Sequence, residues 1–168
     1  MSTIVPAIVL AAVALLLRST ALSALAGRGV VLDVLAFATA VWALRRGEGA
    51  GTLFGFALGL LADLDAAHWI GRHALVLSLL GYTIGRISHT LVREQARTVF
   101  VVLLIGTGVH QAWTLAFEIG AVSGWSFLFR QTLLAMVATA PLGTIVIAML
   151  QRIAGKSWLT HGTATQGA

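Results

Sequence analysis

Two stretches of this chain, Thr98 to Phe117 and Gln131 to Gln151, contain no formally charged side chain, and the only titratable group in either is His110. Each is as long as the roughly 20 residues that an α-helix needs to cross about 30 Å of hydrocarbon. A soluble fold covers its surface with charge. Lipid removes that need and penalises charge by about 2.5–3.5 kcal/mol at mid-span. The rest of the chain follows suit, with 58% of its 168 residues apolar, 10% charged and a mean hydropathy of +0.94. These values predict an all-α integral membrane protein.

Shorter apolar runs surround the two long ones. Together they predict a compact bundle of about six transmembrane helices, near residues 4–24, 30–44, 50–64, 73–87, 98–121 and 127–152. Ile4 to Leu17 ends at Arg18, Val30 to Leu44 contains Asp33, and Gly49 to Ala62 stops at Asp63. These runs span only if their polar ends snorkel or sit inside the bundle. Arg45 to Gly49 reads as a tight polar hairpin and Asp63 to Arg72 as a second turn. Pro141 predicts a bend in the last helix. Residues 1–155 form a single domain in this reading, and the Thr- and Gly-rich tail 156–168 is expected to be mobile.

The 11 Lys and Arg give a net charge of +5, but they stand singly or in pairs between apolar runs. That is the pattern of topology charges, not of a nucleic-acid surface. A cytoplasmic N-terminus puts Arg45, Arg46, Arg86, Arg93, Arg97, Arg152 and Lys156 inside, and Arg18, Arg28, Arg72 and Arg130 outside. Seven against four predicts both termini in the cytoplasm. Trp42, Trp69, Trp125 and Trp158 fall near predicted helix ends, where indoles favour the membrane–water boundary. Ala24-Leu25-Ala26 resembles a signal-peptide cleavage site, but no Lys or Arg precedes the apolar run and Arg18 interrupts the approach, so the first helix is expected to stay.

Gly51, Gly55, Gly59 and Asp63 recur every four residues, so they share one helical stripe. Glycines there let another backbone approach closely, and Gly81 and Gly85 repeat the device on the next helix. The stripe serves either internal helix packing or a partner interface. Asp63 needs a cap or a partner, for which Arg72, His68 and Arg18 are the candidates. A second line, Gly106, His110, Thr114 and Glu118, also recurs every four residues. It reads as a polar cavity opening outward, with Asp33, Asp63 or Arg130 nearby, or as a satisfied hydrogen-bond network between helices. The segment Arg86 to Arg97 places Ile87 and Leu91 on one side among basic residues, suited to anionic lipid, a cytoplasmic partner or a solvated helix extension.

Enzyme signatures are poor. With no cysteine there is no thiol nucleophile or thiolate metal site. Asp63, Asp65, His68 and His73 do not form a known ligand spacing. Neither a Gly-x-Ser-x-Gly elbow nor a phosphate-cradling Gly-x-x-x-x-Gly-Lys-Ser/Thr loop is present. We expect no catalytic residues, no metal and no cofactor.

Gly55-Phe56, Gly59-Leu60-Leu61 and Asp63, then Gly71 eight residues later, Ala74-Leu75, Gly81-Tyr82 and Gly85 resemble the MreD family of the bacterial rod-shape machinery. The resemblance is carried by residues 51–90, and elsewhere rests on hydropathy. It departs from the family pattern at Val30-Val31-Leu32-Asp33, which lacks a proline. The resemblance implies a fold like the substrate-binding subunits of energy-coupling-factor (vitamin) transporters. It implies a noncatalytic scaffold in the bacterial inner membrane that binds MreC and is linked to RodA, a class B penicillin-binding protein and MreB. The competing class is a substrate-binding subunit of a small-molecule transporter.

Overall fold

The computed structural model describes residues 4–20, 32–66, 70–89, 95–118 and 125–154. Among these it holds six α-helices and no strand: α1 (Ile4–Ser19), α2 (Val34–Arg46), α3 (Glu48–Ala66), α4 (Arg72–Ile87), α5 (Ala96–Glu118) and α6 (Trp125–Ala154). Two of them are long and apolar enough to cross a membrane, over Ala96–Ala116 and Phe129–Ile153. They coincide with the two uncharged stretches of the sequence. The last helix runs on through Pro141. The tail 156–168, the Ala24-Leu25-Ala26 segment and Leu91 lie outside the described residues.

Helix ends differ from the hydropathy reading for local reasons. The second helix begins at Val34, not near residue 30, because Asp33 folds its carboxylate back to accept the Ala36 N–H at 3.0 Å. That is an N-cap, which satisfies one of the free donors of the first turn. The polar hairpin shrinks to one residue, Gly47, at φ 82°. Its N–H closes α2 on the Ala43 carbonyl while its carbonyl accepts the Gly51 N–H of α3. Arg45 and Arg46 in the last turn of α2, and Glu48 in the first of α3, suit the helix dipoles on either side.

Neighbouring helices alternate in direction. Along α3 and α4, Gly51 meets Gly81, Gly55 meets Leu77 and Gly59 meets Ala74, an antiparallel register. Gly143 of α6 lies against Leu103 of α5, and Gly108 of α5 against Met136 of α6, again antiparallel. α2 and α6 run the same way, since Asp33 meets Thr139 and Phe37 meets Gly143.

α2 is the hub and touches all five other helices. It is apolar all round and buried nearly all round, from Leu35 to Leu44. One side packs with Phe54, Leu58, Val76 and Leu77, and the other with Val99, Leu103, Ala140 and Ile147. Trp42 corrects the expectation of an indole at the membrane boundary. It is 6% exposed, stacked on Phe54 at 5.0 Å between ring centroids, with the Arg46 guanidinium 5.6 Å from the centroid of its ring. Trp69, Trp158 and the side chain of Trp125 lie outside the described residues. The outer surface is apolar, with Leu53, Ile105, Val137 and Ile153 all exposed. Water would leave such a surface unsatisfied, whereas lipid suits it.

Candidate functional site

Two buried aspartate–histidine pairs sit side by side at one end of the bundle. The first begins with Asp63, fully buried at the end of the glycine stripe. α4 starts at Gly71, whose φ of 102° puts it in the left-handed region. Glycine reaches that region freely but has no side chain with which to cap the helix. Asp63 supplies the cap from the preceding helix. Its carboxylate accepts the backbone N–H of Gly71 at 2.9 Å and those of His73 and Ala74 at 3.2 Å, and it contacts His73 Nδ1 at 2.7 Å. Anions are stabilised at a helix N-terminus by those free donors and by the dipole. Arg72 Nε also lies 3.4 Å from His73 Nδ1, but a nitrogen that donates to a carboxylate keeps no lone pair for it.

Asp63 thus has a partner that was not among the expected ones. His73 pairs with it, and the candidate His68 lies outside the described residues. Arg18 does come across from α1, but to the Ala62 carbonyl, 3.4 Å away. Gly71→Ala is expected to cost about 1 kcal/mol, because a Cβ there meets no neighbour and only the left-handed backbone opposes it. A thermal melt of the detergent-solubilised variant reads this as a small downward shift of the midpoint.

The second pair is Asp33 and His110, with Nδ1 to Oδ2 at 2.5 Å. Gln111 Nε2 donates to the same carboxylate oxygen at 3.2 Å, and the Asp33 N–H donates to Thr139 Oγ at 2.9 Å. Asp33 thus ties α2 to α5 and α6 at once. The His73 and His110 rings are 5.5 Å apart, so the two pairs adjoin. Trp113 Nε1 donates to the Arg72 carbonyl at 3.1 Å and closes α5 onto the start of α4.

A cavity of about 160 Å³ opens at these pairs, lined by Arg18, Asp33, His73, His110, Gln111 and Thr114 among others. Thr114 is partly spent on its own helix, since its hydroxyl donates to the His110 carbonyl at 2.9 Å. The side chain of Glu118 lies outside the described residues, and Arg130 is exposed on α6 and does not line the cavity. Gly51, Gly55 and Gly59 lie at the α3–α4 crossing with Gly81, and Gly85 sits on the backbone of Gly47 and Glu48. No group of three or more His, Asp or Glu suited to a metal occurs among the described residues.

His73, Gln111, Trp113 and Thr139 were absent from the sequence-based site. The signal for His73 was its position just past a helix start ten residues after Asp63. Thr139 lies inside an unbroken apolar run, and nothing in the sequence distinguishes it.

The family described as rod shape-determining protein MreD matches residues 2–153. The chain belongs to the MreD family. The match covers every described helix except the last residue of α6, far beyond the 51–90 segment that carried the resemblance. No curated protein matches the chain, and no solved structure does. MreD membership makes this a rod shape-determining membrane protein, in keeping with its two long apolar helices.

Proposed function

We propose that this MreD-family chain is a noncatalytic scaffold of the cell-elongation complex, crossing the bacterial inner membrane six times with both termini in the cytoplasm. It binds MreC and is linked through the complex to RodA, a class B penicillin-binding protein and MreB. The observation that carries the reading is the family match over residues 2–153. The topology is supported by the alternating helix directions. They bring Arg45, Arg46, Arg86, Arg97 and Arg152 to one end of the bundle, and Arg18, Arg72 and Arg130 to the other. A fold like the substrate-binding subunits of vitamin transporters is supported by six closely packed helices with a polar cavity toward one end.

A scaffold of this kind acts through a rigid shape that partners recognise, and its buried polar groups serve that rigidity. The test is copurification of the tagged protein from its native membrane, followed by mass spectrometry of proteins and small molecules. Recovery of MreC with wall synthases is the expected outcome. Recovery of an ATPase module with a stoichiometric vitamin-like ligand would overturn the scaffold in favour of a transporter subunit.

A further inference from the structure

We infer that α1 is a movable helix, hinged at its Arg18 end and free to swing as a unit between two grooves that flank it.

A helix in lipid is held by close packing and by polar ties, because acyl chains solvate an apolar helix as well as protein does. The other helices have such fastenings. α3 and α4 meet backbone to backbone along the glycine stripe, and α2, α5 and α6 are joined through Asp33, His110, Gln111 and Thr139. α1 has little of either. It packs on α2 and α3 and on no other helix among the described residues. Its one fully buried side chain is Ala14, with Ala7, Leu10, Ala11 and Leu15 partly buried against the core. Val5, Val9, Val13 and Leu16 on its other side are exposed. From Ile4 to Leu17 no side chain is polar, so none can form a hydrogen bond to another helix. The tie that does cross to the bundle, Arg18 to the Ala62 carbonyl at 3.4 Å, stands at the C-terminal end. That end is the hinge, and the end at Ile4 is the free one.

Space on both flanks gives the swing its path. Toward α6 lies a groove of about 350 Å³, with Leu10 and Leu17 of α1 facing Val146 and Leu150. Toward α3 lies one of about 300 Å³, with Ile8 and Ala12 facing Ala57 and Leu61. A helix packed on both flanks shifts only by displacing close-packed side chains. Acyl chains in a groove are fluid and yield. Few buried contacts, an exposed outer face and a single polar anchor are the marks of a segment that opens at low cost. The consequence is a side door on α2. The swing uncovers the part of the core that Leu10, Ala11 and Ala14 cover, while α3, α4, α5 and α6 keep the rest of the hub closed. Arg18, at the hinge, keeps its place in the wall of the polar cavity.

The chain has no cysteine, so spin labels on introduced cysteine pairs carry no background. The test is pulsed dipolar electron paramagnetic resonance of the full-length protein in lipid nanodiscs. Val9→Cys on α1 is paired with Leu79→Cys on α4, and Leu79→Cys with Ile145→Cys on α6 is the reference, all three sites being 55–58% exposed. We expect a distance distribution about twofold broader for the α1 pair. Ile4→Cys with Ser19→Cys, about 22 Å apart along α1, stays as narrow as the reference because the helix moves whole. Ala57→Phe and Val146→Trp each fill one groove, and together they narrow the Val9–Leu79 distribution. Equal widths for Val9–Leu79 and Leu79–Ile145 overturn the inference. A broad Ile4–Ser19 pair overturns it too, since α1 would then fray and not swing. So does a Val9–Leu79 width that the two fillings leave unchanged.

Discussion

Gly55→Leu is expected to abolish the α3–α4 pairing, with loss of folded protein from the membrane and of rod shape in a complementation assay. The physical ground is contact between backbones. A Cβ at Gly55 would land on the Leu77 carbonyl, one at Gly81 on the Gly51 carbonyl, and one at Gly59 within 2.5 Å of the Ala74 backbone. Peptide groups cannot swing aside as a long side chain can. Excess volume in a packed core costs about 1–3 kcal/mol, and more where backbone must move. In lipid no hydrophobic drive offsets it, because the separated helices are as well solvated by acyl chains as the paired ones. Gly49→Ala is the control. It lies on the same helix with nothing near its Cβ, and the exchange relieves the helix of a residue about 1 kcal/mol poorer than alanine. Wild-type shape and yield in Gly55→Leu would mean that α3 and α4 do not pack in this register.

Asp63→Ala is the second large effect, at about 3–5 kcal/mol. It strips the acceptor from the backbone N–H groups of Gly71, His73 and Ala74 and from the His73 ring, all at a buried site. Asp63→Asn keeps one acceptor oxygen and should fall between alanine and wild type. His73→Ala should be milder than Asp63→Ala, since the carboxylate keeps its three backbone donors. Thermal midpoints of the three variants in one detergent give the order. An Asp63→Ala midpoint equal to that of His73→Ala would show that the pair, and not the helix cap, is what the aspartate contributes.

Much of the architecture was legible in the sequence because lipid imposes simple demands. Uncharged runs of sufficient length became α5 and α6, and the described helices α2, α3 and α4 end or begin within the charged breaks. The glycine stripe was visible as a period of four, but the identity of the facing helix was not. That depends on a register in which Gly81 and Gly85 meet Gly51 and Glu48. His110 stood out as a lone titratable group in an apolar run. Its pairing with Asp33, 77 residues away, is tertiary and leaves no local mark. Trp42 shows the opposite failure. Its place near a helix end suggested the membrane boundary, but α2 is short and central, so its end is still inside the protein. Residue type and position along a helix fix depth only when the helix itself lies at the periphery.

The length of α2 also bears on how the chain is assembled. Its 13 residues reach only about 20 Å, and it starts on an ionisable side chain, so lipid alone gives it a poor home. α2 is made early, whereas the groups that complete its capped end come late: His110 and Gln111 on α5 and Thr139 on α6. Until those emerge, the Asp33 carboxylate lacks its side-chain donors and its backbone N–H lacks its acceptor. The centre of the protein is thus finished only when α6, the last of the described helices, packs against it, and a chain that stops short of α6 carries an incomplete helix cap in its middle.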